Sequence, residues 1–250
     1  NVLENLIQCI HRCDLELAGF LYAPYAAGIS SLIEDELQLG STCIDLGGGS
    51  TGLSIFLRNQ MIFSDTVRMG GIHISSDIMK AFQISFDDAE RIKTLHGGLV
   101  ATNVDDRDLI ELPKNYSDWD SDRFIISRSE LISVIRPRVE EILESVRNTI
   151  DNAGFDYFKG KKIVLTGGAS QLPGMYELAT LYLGSNVRIG RPIRIQGLPQ
   201  AVTGPQFSAV IGMALYSSSP QDEFWDFEMP FDSGTSKKFK RAVNWFKHNW

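Results

Sequence analysis

The chain has 250 residues, 43% of them hydrophobic and 22% charged, an ordinary globular composition with room for one large domain or two modest ones. No apolar run approaches the roughly 20 residues needed to cross a bilayer as a helix, which excludes a helical span within this sequence. The net charge of −7 is uneven: residues 233–250 carry five basic side chains and no acid, leaving 19 basic against 31 acidic residues, a net −12, in the rest. An acidic body excludes nucleic-acid binding through a basic face there, while the basic end calls for an anionic partner of its own.

The sequence opens Asn1-Val2-Leu3-Glu4, with neither an initiator Met nor a basic-then-apolar signal pattern, and reads as a chain that starts inside a domain. Residues 1–13 have amphipathic helical spacing through Leu3, Leu6, Ile7 and Ile10. Residues 15–22 read as a strand, and Pro24 opens a helix through Ile29, Leu32 and Ile33. Residues 42–46 form a short apolar strand that ends in three glycines. Alternation at Leu53, Ile55 and Leu57, a turn at Asn59-Gln60 and a strand over 61–67 complete a three-stranded antiparallel meander. Helices follow over 71–82 and 86–95, then short strands near 98–103, 107–112 and 123–126 around a polar loop at 114–122. Ser127 or Ser129 caps a long helix that ends at Gly154 and contains Pro137, which kinks or offsets it. A buried strand at 163–165 runs into Gly167-Gly168, and a helix is expected from about Ser170. Strands near 186–190 and 193–196 and a helix over 206–216 close the body, and residues 217–236 have linker composition. Cys9, Cys13 and Cys43 lack metal-site spacing and read as buried free thiols.

Four motifs carry chemistry. In Asp45-Leu46-Gly47-Gly48-Gly49-Ser50-Thr51, glycines let a turn aim several backbone N–H groups at one point, a cradle for phosphate oxygens. Asp45 beside phosphate makes sense with Mg²⁺, or its water shell, between the two. A plain hairpin needs one or two glycines, fewer than stand here. In Leu165-Thr166-Gly167-Gly168-Ala169-Ser170 a strand ends in paired glycines, which suits either close approach by a nucleotide or a simple tight turn. Glu90 and Lys93 share one helix face and, alone, read as a solvated ion pair. In residues 237–250, Phe239, Val243, Phe246 and Trp250 fall in one helical stripe. Trp245 lies on its flank, and Lys238, Arg241 and Lys247 lie opposite, a membrane-surface pattern.

The order of the first three motifs resembles the second half of the actin, heat-shock-chaperone and sugar-kinase superfamily. Asp88-Ala89-Glu90-Arg91-Ile92-Lys93, Ile135-Arg136-Pro137-Arg138 and Leu165-Thr166-Gly167-Gly168-Ala169-Ser170-Gln171-Leu172-Pro173-Gly174 resemble the FtsA family within it, and the likeness covers essentially the whole chain. The resemblance implies an α/β, actin-like ribonuclease-H-type fold. Residues 1–68 and 161–200 would form the core subdomain, 69–160 an inserted lobe, and 201–216 a helix returning to a first domain. The linker would span 217–236 and the amphipathic helix 237–250. It implies ATP and Mg²⁺ as cofactors: Gly47, Gly48, Gly49, Ser50 and Thr51 at the phosphates, and Asp45 at the metal and water. Glu90 and Lys93 would contact the nucleoside, and Gly167, Gly168 and Ser170 would line the adenosine. The family's first phosphate loop is absent, so this chain would hold one wall of the cleft. The implied role is a scaffold rather than an enzyme: the protein would polymerise, bind anionic lipid at the cytoplasmic face of the inner membrane, and hold FtsZ there at the division site. FtsZ's C-terminal peptide would dock on the 69–160 lobe. The rival class is a heat-shock-type chaperone or sugar kinase on the same fold.

Overall fold

The computed structural model describes residues 2–102, 104–113, 125–155, 161–184, 186–193, 195, 197 and 199–218. The expected amphipathic helix at 237–250, and the linker beyond Ser218, lie outside the described residues, as does the loop at 114–122.

Strands that are apolar on consecutive positions must be covered on both faces. This holds for β1 (Ser41–Leu46), β2 (Thr51–Leu57) and β6 (Lys162–Thr166). Ile44, Leu46, Leu53, Ile55, Ile163 and Leu165 point into one core, while Cys43, Phe56 and Val164 point into another on the opposite face. With β3 (Gln60–Val67) and β7 (Val187–Ile189) they form a five-stranded sheet of order β3-β2-β1-β6-β7. The meander β1-β2-β3 is antiparallel, as the alternation and turns required, whereas β6 and β7 run parallel to β1. The β1–β6 register sets Asp45 beside Thr166, so the two glycine-rich turns leave the sheet side by side.

One face is covered by α2 (Ala23–Ser31), on which α8 (Ser208–Ser218) packs. A short α3 (Glu34–Leu39) follows α2 and ends at Gly40. Ser30 Oγ donates to Ser208 O at 2.7 Å, and the Thr166 and Ser208 hydroxyls meet at 2.6 Å, tying the start of α8 to the end of β6. The other face is covered by α6 (Arg128–Asn152) and α7 (Met175–Leu183), joined by α4 (Gly71–Phe82) and α5 (Phe86–His96). One apolar core therefore runs through the sheet and the 69–160 segment together. Ser127 is the cap of α6: its Oγ accepts Glu130 N at 3.2 Å, and Glu130 Oε2 accepts Ser127 N at 2.7 Å. The helix continues through Pro137 without interruption. A two-stranded ribbon of β4 (Leu109–Glu111) and β5 (Ile125–Ser127) precedes it. The remaining helix, α1 (Val2–Arg12), has the expected amphipathic pattern and buries none of its residues.

Several expected elements differ. No strand forms at 15–22: a strand exists through its ladder, this segment joins no ladder with a described strand, and Leu15 and Phe20 stand exposed. Residues 98–102 are irregular because Leu99 turns into the core and gives its N–H to Pro173 O at 2.9 Å. The helix expected at Ser170 is a single 3-10 turn over Gly168–Gln171, and Pro173-Gly174 delay α7 to Met175. Near 193–196, the described residues Ile193 and Arg194's neighbour Ile195 are not in a strand, since Ile193 N bonds Ser30 O at 3.0 Å. The linker expected from Ser217 starts no earlier than the end of α8 at Ser218. Cys43 is buried as expected, but Cys9 and Cys13 are exposed on and just after α1.

A candidate nucleotide cleft

The β1–β2 turn is built to leave backbone donors open. Gly47 N is used inside it, bonding Asp45 O at 3.0 Å and Ser50 O at 3.1 Å. The amides of Gly48 and Gly49 find no acceptor among the described residues, and both glycines are exposed. The start of α4 is locked onto the same turn, with Gly71 N bonding Gly47 O at 2.9 Å and Ile72 N bonding Gly48 O at 2.8 Å. That contact requires glycine at position 70, where a Cβ would stand 2.6 Å from both carbonyl oxygens. Gly70 N in turn donates to His73 Nδ1 at 3.1 Å.

Glu90 and Lys93 on α5 reach across to α4. Lys93 Nζ donates to Glu90 Oε2 at 2.7 Å, Ser75 Oγ at 2.9 Å and Gly71 O at 3.1 Å. Ser75 also donates to Glu90 Oε2 in a short contact. Partial burial pushes the Glu90 carboxyl up, but the Lys93 and Ser75 hydrogen bonds and the Lys93 charge outweigh it and hold it below the usual carboxylate value. The ion pair expected to be solvated is a bracket between two helices, with the Lys93 side chain only 12% exposed.

On the neighbouring strand Gly167 has φ +85°, where side chains are strained, and a Cβ there would lie 2.4 Å from Asp45 Oδ1. Asp45 sits largely buried at the strand end, and burial raises its carboxyl to about 6. The described residues give that carboxylate no ion-pair partner.

A cleft of about 490 Å³ opens among these elements. Gly47, Gly48, Glu90, Lys93 and Gly168 line it, bringing the first three motifs of the sequence to one place. Gly49 and Ser50 lie at the exposed tip of the turn, outside that lining. Thr51 and Ser170 are buried, and their hydroxyls are spent within the fold, donating to Met69 O at 2.8 Å and Gly167 O at 2.7 Å. Asp45 and Gly167 lie beside each other, outside that lining. Gly71, Ile72, Phe86, Gln171, Leu172 and Pro173 also line the cleft and are not among the expected site residues. The Gly70-Gly71 pair ahead of α4 was the available signal for the first two. Candidates that depend on residues 237–250 (Lys238, Phe239, Arg241, Val243, Trp245, Phe246, Lys247 and Trp250) lie outside the described residues.

A sheet of this order and direction, with two glycine turns at the ends of adjacent parallel strands, fits an actin-like fold, and known structures share it. MreB5 of Spiroplasma citri bound to ADP superposes with a TM-score of 0.71 at 19% identity, covering 86% of this chain and 64% of that one. Its AMPPNP-bound structure gives 0.68 at 21%, covering 86% and 63%. A PilM–PilN type IV pilus biogenesis complex gives 0.63 at 18%, covering 87% and 58%. The family model described as cell division protein FtsA matches residues 42–212. The cell division protein FtsA of Agrobacterium fabrum is 38% identical over 252 residues, 99% of this chain and 57% of that protein. The Bacillus subtilis protein of the same description is 31% identical over 216 residues, 86% and 47%. The chain belongs to the FtsA family of cell-division proteins, and it spans a little over half the length of the Agrobacterium relative. Membership of that family sets it apart from the heat-shock-chaperone and sugar-kinase branches.

Proposed function

We propose that the full-length protein is an actin-like, ATP-binding cell-division protein that works as a scaffold. The observation that carries this reading is the cleft in which Gly47-Gly48, Glu90-Lys93 and Gly168 meet around about 490 Å³. MreB5, which shares the fold, has been captured with ADP and with AMPPNP, which supports a nucleotide in this cleft. The open amides of Gly48 and Gly49 suit phosphate oxygens. The apolar end at Phe86, Leu172 and Pro173 suits the base.

The residues present fit a hydrated Mg²⁺. Asp45 is a single hard oxygen donor with no opposing cation among the described residues, and a metal that keeps most of its waters asks for no more. Asp45 would hold it through a water, and when bound the ion supplies charge neutralisation at the phosphates. Asp45 would accept hydrogen bonds from that water shell, Gly167 leaves room beside its carboxylate, and the glycine turn would keep side chains away from the phosphates. In this reading nucleotide sets the assembly state, any hydrolysis is weak, and the protein self-associates into filaments.

The family further supports a place at the division site, with FtsZ as partner. A groove of about 290 Å³ between α5 and β4, lined by Ile92, Ile110 and Leu112 among others, would be where the FtsZ C-terminal peptide docks on the 69–160 lobe. Residues 237–250 would bind anionic lipid of the inner membrane.

Titration calorimetry of Mg-ATP into the full-length protein tests the cleft. Lys93→Ala frees Glu90 from its bracket and is expected to weaken binding about tenfold or more; an unchanged affinity contradicts the reading.

A further inference from the structure

Lys93 has three ammonium protons, and the structure gives them three acceptors: Gly71 O at 3.1 Å, Ser75 Oγ at 2.9 Å and Glu90 Oε2 at 2.7 Å. No proton is left for a ligand unless one of these bonds breaks. Ser75 is fully buried, so its hydroxyl has no water to turn to. Its single proton has two acceptors in reach, Gly71 O at 3.1 Å and Glu90 Oε2 in the shorter contact. The charge-assisted bond to the carboxylate is the stronger one, while a hydroxyl lone pair takes Lys93. Glu90 is therefore held by one oxygen only. Its other oxygen, Oε1, has no partner among the described residues, and the side chain remains 46% exposed on the cleft lining. A carboxylate oxygen can only accept, so the ligand group it meets must be a donor.

We propose that Ser75 is a positioning residue for the sugar end of the bound nucleotide. It clamps Glu90 Oε2 together with Lys93, so that Oε1 is presented in one fixed direction to a sugar hydroxyl. Ser75 touches no ligand and acts through Glu90. This inference rests on the cleft being a nucleotide site and adds to it the source of discrimination between sugars. A loose Glu90 would swing among several rotamers and lose direction, although the charge would remain.

The test measures affinities of the full-length protein for ATP, 2′-deoxy-ATP and 3′-deoxy-ATP, each with Mg²⁺. Wild type is expected to prefer ATP to at least one deoxy analogue by about tenfold, the scale of one charged hydrogen bond. Ser75→Ala should shrink that ratio at least fivefold while the affinity for the disfavoured analogue stays within about twofold, and Ser75→Thr should restore the ratio. An equal loss for all three nucleotides in Ser75→Ala would show a merely structural hydroxyl and overturn the proposal. An unchanged ratio would overturn it too, with the nucleotide cleft still standing. If wild type binds none of the three, the cleft reading fails and takes this inference with it.

Discussion

Burial lifts the Asp45 carboxyl from an ordinary 3.8 to about 6, and the direction of that shift sets the sign of a pH effect. The folded state holds the Asp45 proton more tightly than the unfolded chain does. The associated stability is fully present below about pH 4 and is lost as pH rises through 6. Above that, the ionised carboxylate costs up to about 3 kcal/mol in the nucleotide-free protein. Asp45→Asn should therefore raise the midpoint of urea unfolding at pH 8 and leave it nearly unchanged at pH 4. Equal shifts at both pH values would mean that the carboxylate is not desolvated as described. On the proposed reading, such a group at a strand end, beside a glycine that makes room for it, would meet a counter-charge that arrives with the nucleotide. Asp45 and Gly167 were both visible in the sequence as parts of motifs, but their contact was not. It depends on a parallel pairing between strands far apart along the chain, which no local pattern encodes.

Among the elements, α4 and α6 are fastened by one guanidinium. Arg138 Nε donates to Asp77 Oδ2 at 2.6 Å and Nη2 to Asp77 Oδ1 at 3.1 Å, a bidentate pair, and Nη1 also reaches Glu141. Both side chains of the pair are about one-quarter exposed, so the bond is neither freely solvated nor stranded. A double-mutant cycle with Asp77→Asn and Arg138→Gln should give a coupling of about 1 kcal/mol; additive effects would show that the two helices are held by packing alone. Elements whose signal is local were legible. The meander shows itself through alternation and a glycine-rich turn, and α6 through a capping serine, which is Ser127, whose Oγ accepts Glu130 N at 3.2 Å. Expectations failed where the outcome depends on a partner distant in sequence. Leu15 to Tyr22 has strand composition, but a strand needs a neighbour, and composition cannot supply one. Ser75 was illegible for a related reason: a serine inside a helix carries no sign that its hydroxyl is the hinge of an ion-pair bracket.

For the whole molecule, the proposed lipid contact rests on the sequence of the basic end, with five cations and no acid over residues 233–250. Each cation near anionic lipid contributes about 1 kcal/mol and each large buried side chain roughly 2 kcal/mol at best, less the cost of ordering a short helix. On that proposal a single tail would be a weak anchor, and several tails on a polymer would bind far better through effective concentration. Sedimentation of the full-length protein with anionic vesicles should show binding that Phe246→Glu abolishes. Retained binding in that variant would assign the attachment to some other surface.

The central claim is that the turns after Asp45 and after Thr166, and the start of α4, form the wall of a single ligand site. Amide hydrogen exchange of the full-length protein with and without Mg-ATP tests it most directly. Slowed exchange is expected together in segments 46–50, 70–75 and 167–171, with the sheet interior unchanged. Protection confined to one of the three, or to none, would contradict a shared nucleotide cleft.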